Sequence, residues 1–199
     1  MAFSLLSRVA FLSSIASLVA CGGSYDTEHV KDYRLAVVEG TDADREELQR
    51  LIIDFNDKAG MQVLNYVTAA DDANSAVLFV NGLEAKTKAT TGEARIGQAQ
   101  WFMETASENP MSSMGRNPKR TVTYTMRIEL DAEYMRSRQG WDDDKHTYDK
   151  QKLFFHEVGH GLELDHNEHD KSDLMYPSTD GSKDMQRFFH YVRGYMADA

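Results

Sequence analysis

Two histidines four residues apart, with a glutamate between them, open the stretch HEVGHGLELDH at residues 156–166: His156, Glu157 and His160. On an α-helix, residues four apart lie on one face, so the two imidazoles can grip a single zinc ion. Glu157, turned about 100° from His156, stays near the metal without being a ligand and can accept a proton from a metal-activated water. A catalytic zinc takes three protein ligands and keeps a fourth position for water. His166, six residues past His160, is the candidate third ligand, with His169 and Asp170 as competitors. Zinc peptidases whose third ligand is a glutamate on a later helix do not fit, because no glutamate follows Glu168.

The whole stretch resembles the metzincin pattern H-E-x-x-H-x-x-G-x-x-H. Gly159, Leu162, Leu164, Asp165 and His166 make it similar to the matrixin branch in particular. The resemblance implies that His166 completes the ligand set. It also implies a methionine-containing turn beneath the metal, which Met175 in SDLMYP supplies. Met175 would then be a structural floor, and Tyr176 and Pro177 would line the pocket for the residue just after the scissile bond. One position departs from the family: its glycine three residues after the second histidine is Glu163 here. Glycine adopts a left-handed backbone at little cost, whereas a residue with a side chain loses roughly 1 to 2 kcal/mol. The expectation is that the turn survives with Glu163 in the left-handed region and its carboxylate in solvent or near a basic side chain.

These residues need a scaffold. With 199 residues, the chain suits one domain with a real core. A formal net charge of -10 disfavours nucleic acid as a partner. The single cysteine, Cys21, excludes an internal disulfide. Residues 1–20 read as an export signal, with Arg8 ahead of a short apolar run. That run ends Leu18-Val19-Ala20-Cys21-Gly22, which resembles the bacterial lipoprotein box. The resemblance implies a lipid on the Cys21 sulfur and a protein exported and anchored to the cell envelope, at the outer membrane in a two-membrane bacterium. Residues 21–32 then form a tether and 33–199 the catalytic domain. Asp26 in the tether could bend back onto the metal, although a solvated linker acid is the simpler reading.

Along the domain, residues 33–38 predict a strand and 42–58 an amphipathic helix carrying Leu48, Leu51, Ile52 and Phe55. Strands follow near 62–67 and 76–80, and residues 81–95 read as polar and partly irregular. Asp71 and Asp72, in the loop between those strands, could touch calcium, but they lack the regular alternation of a calcium loop. Residues 96–103 resemble the strand above the cleft in metzincins, where an extended peptide would pair. Residues 104–120 read as a long exposed loop containing Met111 and Met114, and 121–130 alternate strictly as a strand. A charged loop at 136–145 holds Asp142, Asp143 and Asp144. The helix bearing the histidines is expected over 147–162, with Phe154, Val158 and Leu162 buried. Met185, Phe188, Phe189, Val192 and Tyr195 mark a closing helix.

The resemblance therefore implies an α/β (α+β) metzincin-type domain: a twisted mixed sheet with one antiparallel edge strand, an active-site helix, a Met-turn and a short C-terminal helix. The function it implies is zinc-dependent endopeptidase, with Glu157 as general base and protein or peptide as substrate. The rival reading is a catalytically silent surface lipoprotein that keeps the fold as a binding module. A third is a zinc hydrolase acting on something other than protein.

Overall fold

The computed structural model describes residues 25–108, 117–136, 143–178 and 182–198. Cys21, Met111, Met114 and Asp142 lie outside them. The elements are β1 (Asp26–Val30), β2 (Tyr33–Glu39), α1 (Asp42–Ala59), β3 (Leu64–Tyr66), β4 (Ser75–Val80), α2 (Leu83–Thr91), β5 (Gly97–Ser107), β6 (Lys119–Asp131), α3 (Ala132–Arg136), α4 (Asp143–Gly161) and α5 (Met185–Ala197). A 3-10 turn at Ala70–Asp72 carries the two acids weighed for calcium.

The sheet is α/β in character and mostly parallel. Its row runs β1-β6-β4-β2-β3, every ladder in it parallel, so both ends of the row are parallel strands. This corrects the expectation of a row closed by an antiparallel edge. The antiparallel pairing is that of β5, which lies off the row on β6. The reason is the length of β6. Its first half takes β1 (Asp26 opposite Lys119) and its second half takes β4 (Val80 opposite Asp131), one after the other along one side. The other side is left to β5, from Gly97 opposite Leu130 to Ser107 opposite Arg120.

Three further expectations change. The tether contains a strand: β1 is exposed along most of its length and is held by main-chain pairing with β6, which leaves no hydrophobic alternation to read. Asp26 sits at its far end, its amide donating to the Pro118 carbonyl at 3.1 Å, so it is built into the sheet. Residues 104–107, expected in a loop, extend β5. The segment expected to be irregular holds α2, flanked by left-handed Gly82 and Gly92 and anchored by buried Leu83 and Thr87. With so small a buried face, α2 carries too little periodicity to announce itself.

Helix α1 begins in a capping box: Thr41 Oγ1 accepts from the Asp44 amide, and the Asp44 carboxylate accepts from the Thr41 amide at 2.7 Å. It ends at Gly60, left-handed at φ 70. The core that fixes α4 is aromatic. Phe55 of α1, Phe155 of α4 and Phe189 of α5 meet edge to face, with centroids 5.1 to 5.5 Å apart. Such contacts add to area burial by about 0.5 to 1.5 kcal/mol each. Leu153, Phe154, Phe155 and Val158 are all buried, as is Leu162 just past the helix, so the stretch 152–159 of α4 is enclosed all round and not on the one expected stripe. Among the described residues, no helix is long and apolar enough to cross a membrane.

Candidate metal centre

Helix α4 ends in a tight reversal. The Leu164 amide donates to the Gly159 carbonyl at 2.9 Å and the Glu163 amide to the His160 carbonyl at 3.1 Å. This paired pattern closes a helix through a left-handed residue. That residue is Glu163 at φ 65, the single non-glycine with positive φ among the described residues. Its carboxylate is exposed and lies 3.5 Å from the Tyr195 hydroxyl, with no ion pair to a described basic side chain. The reversal sends the chain back toward the helix and delivers His166.

His156, His160 and His166 come together. One nitrogen from each lies within 4.8 Å of the other two. His166 Nε2 is 3.1 Å from His160 Nε2 and 3.3 Å from His156 Nε2. The opposite nitrogens are committed. His156 Nδ1 faces the Leu174 carbonyl at 2.7 Å, and His160 Nδ1 faces the Leu164 carbonyl at 2.9 Å. A carbonyl only accepts, so each Nδ1 carries the proton and each Nε2 presents a lone pair inward. Three crowded rings with at least two inward lone pairs are close enough to hold a metal ion between them. Burial, and the neighbouring histidines after it, push the His156 imidazole down to about 4, and burial chiefly lowers that of His160. Both are thus neutral, the state a metal requires. His169 and Asp170 stay out of the cluster. Asp170 instead accepts from Ser172 and from Arg187.

Glu157 is 4% exposed, and its Oε2 is buried with no hydrogen-bond partner. Burial raises its carboxyl to about 8, with Arg95 pulling the other way. A buried polar atom without a partner is costly, and its presence at the floor of an open cleft marks a place for a ligand. The other oxygen, Oε1, packs on β5: a Cβ built on Gly97 would stand 2.5 Å from it. Gly97 is thus a site residue that the histidine motif did not point to, although a glycine inside a strand signals close backbone approach.

Met175 is buried under α4 against Gly159, where a Cβ would collide with its sulfur. The turn around it is braced to the segment that carries His166. The Asn167 amide donates to the Met175 carbonyl at 2.9 Å, and buried Asp173 accepts from the Met175 amide at 2.9 Å and from Asn167 Nδ2 at 2.8 Å. The cleft, about 980 Å³, is bordered by Gly97, Trp101, Glu157 and Pro177 among others. Tyr176 does not border it. Its ring lies under the Lys183 ammonium, 5.2 Å from the centroid. Of the two expected pocket residues, only Pro177 lines the opening.

No known protein-family model matches the chain, and no curated protein matches it.

Proposed function

We propose that the protein is a zinc-dependent endopeptidase, a metzincin of matrixin-like type that hydrolyses peptide bonds with Glu157 as general base. The observation that carries this reading is the convergence of three imidazole nitrogens beside a buried carboxylate oxygen that has no partner. Three imidazole nitrogen donors suit zinc, and three is the number a catalytic site uses. A zinc ion held by His156, His160 and His166 would polarise the scissile carbonyl and lower the pKa of the attacking water from ~15.7 to about 7.

The chain's own residues do the rest. The Leu174 and Leu164 carbonyls fix the tautomers of His156 and His160. Glu157 takes the proton of the attacking water and passes it to the leaving amine. Gly97 leaves room for that carboxylate beside the substrate strand. The β5 main chain borders the cleft and offers an extended peptide hydrogen bonds that are independent of its sequence. Met175 supports the helix from below. Lipidation of Cys21, in the box LVAC, would hold this domain on the outside of the cytoplasmic membrane or on the outer membrane.

The test is incubation of residues 22–199 with a mixed peptide library, with and without chelator, and mass spectrometry of the products. Cleavage that chelator abolishes and zinc restores is expected. A folded, zinc-loaded protein that cleaves nothing would replace this reading with the binding module.

A further inference from the structure

We infer that the cleft takes peptides carrying lysine or arginine beside the scissile bond, a substrate class that rests on the hydrolase reading of the same site. Among its described lining residues other than buried Glu157 stand four carboxylates, Glu93, Glu163, Asp165 and Glu168, against one guanidinium, Arg95. Arg95 is already engaged, donating to Glu93 at 2.7 Å. A substrate carboxylate therefore meets no free cation among the described lining residues. Glu163, Asp165 and Glu168 are exposed at the opening, and none of them is ion-paired with a described residue. A dication on the imidazoles would offset two charges and still leave the lining net negative.

A second feature points the same way. Trp101, on β5, lines the cleft with 46% of its surface open. The face of an indole attracts ammonium and guanidinium groups. The unpartnered Glu157 oxygen, in turn, shows that this acidic concavity is built for an occupant. A peptide lying along β5 passes between Trp101 and the carboxylates that follow α4, and basic side chains suit both. Each rim contact is solvent-exposed and individually weak, so the preference comes from several acting together and is strongly salt-dependent.

The test uses three fluorogenic peptides, identical except that the two residues flanking the scissile bond are both Lys, both Gln or both Glu. For zinc-loaded residues 22–199, kcat/KM should fall in that order, with a Lys-to-Glu ratio of about tenfold at low ionic strength. The ratio should shrink toward unity at about 1 M salt, where the screening length is about 3 Å. Glu168→Lys should cut it by about threefold or more. Labelled versions of the same peptides should bind zinc-loaded Glu157→Gln, or metal-free wild type should that variant not fold, in the same order by fluorescence anisotropy. Equal rates and equal affinities, or a preference for Glu, would overturn the inference while leaving peptide hydrolysis intact. Lys-selective binding with no cleavage of any peptide would support the inference and overturn the hydrolase reading instead.

Discussion

The carbonyl of Leu174 lies 2.7 Å from Nδ1 of His156, tying the turn that carries Met175 to the first histidine of α4. A residue eighteen positions downstream thus sets the tautomer of His156, and with it the direction of its inward-facing lone pair. The centre is one mechanical unit in which helix, reversal and turn fix one another.

Glu157→Gln should reduce turnover by roughly 10² to 10⁴-fold, the range supplied by a general base. Zinc content should stay near one per chain, because Glu157 is outside the converging nitrogens. Metal analysis alongside peptidase assays checks this. Near-wild-type activity in the folded, loaded variant would remove Glu157 from the mechanism.

Gly97→Val should also impair turnover without emptying the site. Its Cβ would meet Glu157 Oε1 at 2.5 Å and Leu153 Cδ1 at 2.9 Å, so the carboxylate has to swing away. A displacement of about 1 Å can cost on the order of 10²-fold in rate. The expected outcome is a fall in kcat of that order with zinc retained. Unchanged kcat would show that the carboxylate is not held where β5 places it.

Glu163→Gly should raise stability. The left-handed backbone costs a side-chain-bearing residue roughly 1 to 2 kcal/mol, and glycine gives back about 0.5 to 1 kcal/mol through its freedom in the unfolded chain. The 3.5 Å approach to the Tyr195 hydroxyl is too long to reverse that balance. Thermal unfolding of the zinc-loaded forms should show a rise of a few degrees, and a clear drop would mean that the Tyr195 contact outweighs the strain.

Asp44→Asn should destabilise the fold by about 1 to 3 kcal/mol at neutral pH. Buried Asp44 accepts two bonds from Arg136, at 2.5 and 3.0 Å, as well as those from Thr41. Burial alone would raise its carboxyl, but the Arg136 and Thr41 hydrogen bonds outweigh it and hold the carboxyl below its ordinary value. A depressed folded pKa contributes stability above the unfolded value of about 3.9 and loses it as pH falls through the folded value. The gap between wild type and variant should therefore be constant from neutral pH down to about 4 and close below it. Denaturant midpoints measured across that range check the sign.

Mass spectrometry of the mature N-terminus tests the anchor. A diacylated or triacylated Cys21 at the first position is expected. An intact Met1 or an unmodified thiol would sink the lipoprotein reading.

The legible part of the site is the part whose chemistry is local. His156, Glu157 and His160 are set by helix geometry, and the reversal at Glu163 follows from the need to turn the chain. Strand β6 and the aromatic stripe of α5 announce themselves by period because each has a buried face. The resemblance of residues 96–103 puts a strand above the cleft, but that Gly97 meets Glu157, and that the acids gather at one rim, are tertiary facts that no local pattern contains. Strand β1 escapes for a different reason. Its binding energy is in main-chain bonds to β6, which leave no mark on side-chain type.

The pairing of Asp26 with Lys119 also governs how the molecule is made. Strands β4, β2 and β3 pair among themselves, but β1 joins them only through the late strand β6. Contacts so distant along the chain are slow to form because loop-closure entropy is lost before pairing repays it. A chain threaded through a membrane from its N-terminus would emerge with β1 unpaired and stay open until β6 followed. The three histidines follow β6 along the chain, so their cluster is assembled against a sheet whose last strand has already emerged.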